Sequence, residues 1–248
     1  MENEFPVRLP KRKYGMKAIL IPVKKFGEAK KRLAPHFSSD ERAALAQAMC
    51  EDFFEVVATV RGVERVFVVS NEPGVLLRAQ QWGWETIRES RQISESDSVD
   101  AASQYCAAQG VKALLRLPID LPLVQPGDIE AIFEKLGSAP AAVLVPSSDG
   151  RGTNALLRTP PSLFPSHFGP NSFALHLAEA ERCGASACVL RNERLELDID
   201  ELEDLRSVSM HLKSSSATAR WLMERGLGKS GTRAAAADIS EDWEAEGP

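Results

Sequence analysis

Residues 18–35, AILIPVKKFGEAKKRLAP, open as a buried strand and close as a basic loop. Ala18, Ile19, Leu20, Ile21 and Val23 form the short apolar run of a strand covered on both faces, the habit of parallel sheets. Lys24, Lys25, Lys30, Lys31 and Arg32 follow, against the single acid Glu28. In an open parallel sheet, ligands bind beyond the carboxyl ends of the strands. The loop is therefore placed to meet an anion, of which a polyphosphate is the common kind. The competing reading is a charged loop that only faces solvent.

Downstream, Ser38-Ser39-Asp40-Glu41 is a capping box. Leu45, Met49, Phe53, Val56, Val57 and Val60, three or four apart, then mark one face of a long helix that Gly62 stops. Arg65–Ser70 (RVFVVS) reads as a second strand, followed by a short helix and a weak strand at Trp84–Ile87. Arg88–Asp100 (RESRQISESDSVD) carries neither strand nor apolar helix signal and leads into a helix over Val99–Gln109, capped by Asp97 or Ser98. Lys112–Asp120 (KALLRLPID) is a third strand. Pro126 suits the first turn of a helix whose inward face is Ile129, Ile132, Phe133 and Leu136. Ala142–Pro146 is a fourth strand and Asn154–Arg158 another; residues 160–170 are irregular. Asn171 or Ser172 opens a helix ending near Gly184, Cys188–Asp200 holds one or two short strands, and Glu201–Leu212 is a closing amphipathic helix. This alternation predicts an α/β fold with a mostly parallel central sheet flanked by helices. The expected organisation is a loose extension over 1–15, one domain over 16–213, and a tail over 214–248. That tail would hold a short helix (Ala219–Arg225) and end in a disordered acidic segment.

The chain has 248 residues, 44% of them hydrophobic, enough for a proper core. Its formal charge of −5 matches the five acids Asp238, Glu241, Asp242, Glu244 and Glu246 near the end, so the rest is formally neutral. Bulk charge thus argues against a nucleic-acid partner. No apolar run approaches the ~18 residues of a membrane helix. The opening MENEFPVRLPKRKYGMK lacks the apolar segment of a signal peptide. No membrane partner and a cytoplasmic location are the expectation. Cys50, Cys106, Cys183 and Cys188 show no metal-site spacing and are expected as reduced thiols.

Chemistry gathers at four places. In Leu197-Asp198-Ile199-Asp200, an extended segment would point Asp198 and Asp200 together and send Leu197 and Ile199 inward. Carboxylates that close repel unless a cation lies between them, and magnesium suits such oxygen donors. A turn in which Asp200 caps the closing helix is the alternative. Asp120 ends an apolar strand at the rim that carries the basic loop, or else simply starts a turn. Gly152-Thr153-Asn154 follows a strand and a flexible turn, and Gly169-Pro170-Asn171-Ser172 precedes a helix. Main-chain N–H groups at a helix start, beside a hydroxyl, can receive an anion. Gly226–Gly231 matches G-x-G-x-x-G but follows a helical stretch rather than a strand, so a dinucleotide fingerprint is set aside.

Taken in order, IPVKKFGEAKKRLAP with S-x-x-E-R after it, PIDLPL, GRGTNALL, HFGPNSF and LDIDELEDL resemble the CofC/FbiD-type guanylyltransferases of coenzyme F420 biosynthesis. The likeness runs from about Lys17 to Val208. It implies a Rossmann-like nucleotidyltransferase fold and transfer of GMP from GTP to a phosphorylated three-carbon acid, with release of pyrophosphate. The acceptor would be phosphoenolpyruvate, 3-phospho-D-glycerate or 2-phospho-L-lactate. By the same resemblance, Lys24, Lys30 and Arg32 belong to the triphosphate loop, and Asp120, Asp198 and Asp200 hold Mg2+. Thr153, Gly169 and Ser172 receive the acceptor. It admits hand-over of the product to a downstream transferase, and a homodimer. The family often carries Leu-Asn where this chain reads Ser98-Val99-Asp100, which favours phosphoenolpyruvate or 3-phospho-D-glycerate; Asn171 stands where glycine is common. Two other readings are a sugar-nucleotide-dependent glycosyltransferase and a non-catalytic GTP-binding regulatory module.

Overall fold

The computed structural model describes residues 15–90 and 93–228, so all but Gly15 of the extension expected at 1–15, and the acidic end of the tail beyond 228, lie outside the described residues. Strand β1 (Met16–Val23) is central. It pairs in parallel with β2 (Arg65–Ser70) on one side and β4 (Val111–Arg116) on the other. With β3 (Glu85–Arg88), β5 (Ala141–Pro146), β6 (Thr153–Thr159) and β7 (Ser186–Val189), a seven-stranded sheet forms in the order β3-β2-β1-β4-β6-β5-β7. β6 runs antiparallel to both β4 and β5, while β5 and β7 are parallel. The α/β reading with a mostly parallel sheet therefore holds.

Alternation along β1 sorts its side chains between two cores. Ile19, Ile21 and Val23 face α1 (Ser39–Val57), α2 (Pro73–Gln81) and α4 (Pro126–Glu134), packing with Phe53, Phe54, Val75, Ile129 and Ile132. Ala18 and Leu20 face α3 (Glu95–Ala108) through Val99, Ala102 and Cys106. α5 (Ser172–Arg182) covers β5 and β6 on that second side through Ala180. Truncating a side chain as enclosed as Phe54, which exposes none of its surface, should cost about 3–5 kcal/mol.

A smaller core joins Leu33, Leu45, Met49 and Ile199 to α7 (Leu202–Ser209) and α8 (Ala217–Glu224). The short helix expected at Ala219–Arg225 is α8, and it is packed: Trp221 sits edge-on to Phe37, ring centres 5.1 Å apart. The Asp52 carboxylate accepts the N–H groups of Ala217 and Thr218 at 2.7 and 2.8 Å, meeting two donors that a helix start leaves unpaired.

Four expectations need correction. α1 ends at Val57, not at Gly62. α3 begins at Glu95 with Ser94 as cap, four residues before the expected start, because Ser94 Oγ accepts from the Asp97 N–H at 3.0 Å. That cap arises from hydrogen bonding and leaves no apolar periodicity to read. Only β7 of the Cys188–Asp200 stretch is strand. Asn192 caps a turn of helix, α6 (Glu193–Glu196), before the chain extends again. Finally, Glu201 caps α7, while Asp204 accepts the N–H groups of Asp200 and Glu201 at 2.9 and 2.7 Å. The Asp200 carboxylate is therefore free of capping.

Candidate active site

A cleft of about 1070 Å3 lies along the carboxyl rim of the sheet, lined by the basic loop, Asp120, the turn before β6, the start of α5 and the Asp198–Asp200 segment. Reversal of β6 matters here. It brings the first residues of that strand, Thr153 and Asn154, to the rim where the parallel strands end. Successive strand residues point to opposite sides. Asn154 reaches Asp198, Nδ2 to Oδ1 3.1 Å, while Thr153 reaches the start of α5.

Asp120 meets the distant pair through a backbone splice, in which the Ile199 N–H donates to the Asp120 carbonyl at 3.1 Å. Ile199 is wholly buried and pins the segment into the smaller core. One carboxylate oxygen each of Asp120, Asp198 and Asp200 then lies within 4.8 Å of the others. Burial, followed by repulsion from Asp120, pushes the Asp198 carboxyl up to about 6, against the Asn154 hydrogen bond.

Lys30 pairs with two members of this triad, Asp120 and Asp200. Its Nζ donates to Asp120 Oδ2 at 2.7 Å and to the Ile199 carbonyl, and lies 3.5 Å from Asp200 Oδ1. Burial works to lower the ammonium's pKa, yet the charges of Asp120 and Asp200 outweigh it and hold the group above the ordinary lysine value. Burial likewise works to raise Asp120, and Lys30 overcomes that to hold it low. The Lys30 backbone is left-handed, φ 53°, between two 3-10 turns at Phe26–Glu28 and Lys31–Leu33. A non-glycine residue held there costs of order 1–3 kcal/mol, and the pairing of its ammonium offsets that strain.

The other predicted cations are less enclosed. Arg32 pairs with Asp200 at 3.0 Å, and half-exposed Lys24 lies 3.4 Å from Glu95. Glu95 also pairs with Arg116, whose buried guanidinium lies 4.1 Å over the Phe168 ring and donates to the Asn154 carbonyl at 3.2 Å. Burial pulls Arg116 down to about 10 against the attraction of Asp120 and Asp198, leaving it cationic at neutral pH. Neither Glu95 nor Arg116 was picked out by sequence reasoning. The signal for Arg116 was an arginine inside an apolar strand, a residue type rarely buried without a partner.

Thr153, Gly169 and Ser172 come together, with Ser172 Oγ 3.2 Å from Thr153 Oγ1. Gly169 sits at φ +132°, a backbone region that favours glycine. The helix-start amides are less available than expected: the Ser172 N–H donates to Gly169 O at 3.2 Å and the Phe173 N–H to Arg151 O at 3.0 Å. The Thr153 and Ser172 hydroxyls are side-chain donors at this end.

Three carboxylates, all oxygen donors and gathered beside a resident ammonium, suit a hard divalent cation. Among the described residues no helix is long and apolar enough to cross a membrane.

Residues 16–238 match the family described as guanylyl transferase CofC like. A phosphoenolpyruvate guanylyltransferase from Rubrobacter xylanophilus is 37% identical over 188 residues, 75% of this chain and 90% of that protein. A 2-phospho-L-lactate guanylyltransferase from Methanothermobacter thermautotrophicus is 32% identical over 198 residues, 80% of this chain and 86% of that protein. In fold, the chain is similar to a protein provisionally described as a nucleotide-diphospho-sugar transferase from Desulfovibrio desulfuricans G20. There the TM-score is 0.69 at 17% identity, over 85% of this chain and 96% of that one.

Proposed function

Because the chain belongs to the guanylyl transferase CofC-like family, we propose that it joins GMP from GTP to a phosphorylated three-carbon acid, releasing pyrophosphate, in coenzyme F420 biosynthesis. Phosphoenolpyruvate is the first candidate acceptor, followed by 3-phospho-D-glycerate and 2-phospho-L-lactate. The observation that carries this reading is one cleft in which three carboxylates face a lysine- and arginine-bearing loop, with a hydroxyl pair beyond them.

In the reaction, an oxygen of the acceptor's phosphate attacks the α-phosphorus of GTP. A new P–O bond forms, the α–β bridging bond breaks, and its electron pair leaves on pyrophosphate. With a second pKa of ~6 the attacking phosphate is largely dianionic at neutral pH, so no general base is required. Catalysis then rests on placement and charge. Lys24 and Arg32 hold the β- and γ-phosphates from the loop, and Lys30 joins them on leaving the triad. Asp120, Asp198 and Asp200 would hold Mg2+, which when bound neutralises charge on the reacting phosphates. Thr153, Gly169 and Ser172 orient the acceptor at the far end. The product carries a phosphate–phosphate anhydride, an activated form suited to a downstream transferase.

Pyrophosphate release measured with GTP, Mg2+ and each acceptor in turn tests the proposal. Release with one of the three acids, and a product of matching mass, is expected. Consumption of a sugar nucleotide without pyrophosphate, or GTP binding that leads to no turnover with any acceptor, overturns it.

A further inference from the structure

We propose that His176 is a positioning residue that keeps one hydroxyl proton of the Thr153–Ser172 pair directed into the cleft, as a donor to the acceptor's anionic group. This rests on the reading above that those two residues receive the acceptor.

His176 exposes none of its surface and is walled by Phe164 and Phe168, with ring centres 6.2 and 5.1 Å away. The His167 backbone N–H lies 2.8 Å from its Nε2. A backbone N–H only donates, so Nε2 must carry the lone pair. Burial, then the charge of Arg158, presses the imidazole down to about 3, and the ring is neutral at working pH. Its single proton therefore sits on Nδ1, which lies 3.0 Å from Thr153 Oγ1 and donates to it. Glu179, the nearby carboxylate, is taken up by His167 Nε2 at 3.1 Å and by Arg182 at 2.6 Å, and makes no hydrogen bond to the His176 ring.

The consequence is a count of protons. Thr153 and Ser172 own two hydroxyl hydrogens, and the 3.2 Å contact between them uses one. If Nδ1 were an acceptor, it would use the other and leave none for a ligand. With Nδ1 donating, one hydroxyl proton stays for the cleft, whichever of the two oxygens carries it. That converts a neutral hydroxyl pair into an anion site, at the end of the cleft where the Ser172 and Phe173 amides are already engaged.

The test is kinetic, with His176→Phe to remove both nitrogens at similar volume and His176→Asn to restore a donor toward Thr153. His176→Phe leaves the free proton but removes the hydrogen bond that orients it, and should raise KM for the acceptor by roughly 2- to 12-fold, the worth of a neutral hydrogen bond, with KM for GTP unchanged. His176→Asn should recover much of that loss. In a Thr153→Val background, His176→Phe should add little, since the ring acts through that hydroxyl. An unchanged acceptor KM, equal losses for GTP and acceptor, or additive losses in the double variant would each overturn the proposal. Nitrogen NMR of the unmodified protein reads the tautomer without any substitution or turnover, and a protonated Nε2 would also overturn it. Absence of turnover with every acceptor would instead fall on the guanylyltransferase reading, and the tautomer would still decide the ring's role.

Discussion

Replacing Lys30 with methionine asks how far the acid triad depends on an internal cation. The ammonium is 2.7 Å from Asp120 and 3.5 Å from Asp200, on a side chain only 8% exposed. Two unit charges ~4 Å apart attract by about 4 kcal/mol at an effective dielectric of 20. Removing one partner of a buried pair costs about 3–5 kcal/mol. Asp120 and Asp200 keep 24% and 43% of their side-chain surface, so water takes over part of the loss. The expected destabilisation is therefore ~2–3 kcal/mol, a fall in Tm of roughly 4–12 °C for a chain of this length. Magnesium should reverse most of it, because a ligand at a hundred times its Kd adds ~2.7 kcal/mol. In the variant the ion also meets no ammonium to displace. Thermal melts in EDTA and in Mg2+ make the comparison. The variant should melt well below the parent in EDTA, approach it in Mg2+, and gain more from the ion than the parent gains. Equal melting in EDTA, or equal gains from Mg2+, would refute the view that Lys30 neutralises the triad.

Asp198→Asn should abolish pyrophosphate release and weaken Mg2+ binding without unfolding the protein; near-normal turnover would remove Asp198 from the site. With its carboxyl raised to about 6, Asp198 is mostly protonated at pH 5, so calorimetry should find Mg2+ bound roughly tenfold more weakly at pH 5 than at pH 8. A flat affinity across that range would contradict the burial of Asp198. Since this pKa is raised in the folded state, the group costs stability as pH rises from ~4 through 6, and the parent should lose ground to Asp198→Asn over that window in urea unfolding. Asp52→Ala should cost ~0.5–2 kcal/mol by releasing the start of α8, with both KM values unchanged; a shifted KM would mean that α8 supports the cleft.

What could be read from the sequence were features written in contiguous residues. β1 announced itself by an unbroken apolar run, the capping box of α1 by four adjacent letters, and Asp120 by closing the apolar KALLRLPID stretch at the ligand rim, although the strand expected over Lys112–Asp120 ends at Arg116 and Asp120 stands in the loop beyond it. Features set by a partner far along the chain stayed hidden. Five residues, Asn154–Arg158, say strand but not direction, and the reversal of β6 comes only from pairing with both β4 and β5. Glu95 looked like one acid in a polar run until Arg116 and Lys24 gave it a place. Lys30 read as a loop cation placed to meet an anion, whereas the fold turns it inward to the acids. His176 stands in no ligand spacing that the sequence shows, and its two hydrogen bonds give it direction.

The neighbouring residues Thr153 and Asn154 share one rigid peptide plane, yet one serves the hydroxyl end of the cleft and the other the acid end. A tilt of that plane cannot move one side chain and leave the other still. Any coupling between occupants of the two ends therefore has a path one residue long open to it. By linkage, if an acceptor at the hydroxyl end tightened a cation at the acid end, the cation would tighten the acceptor in equal measure.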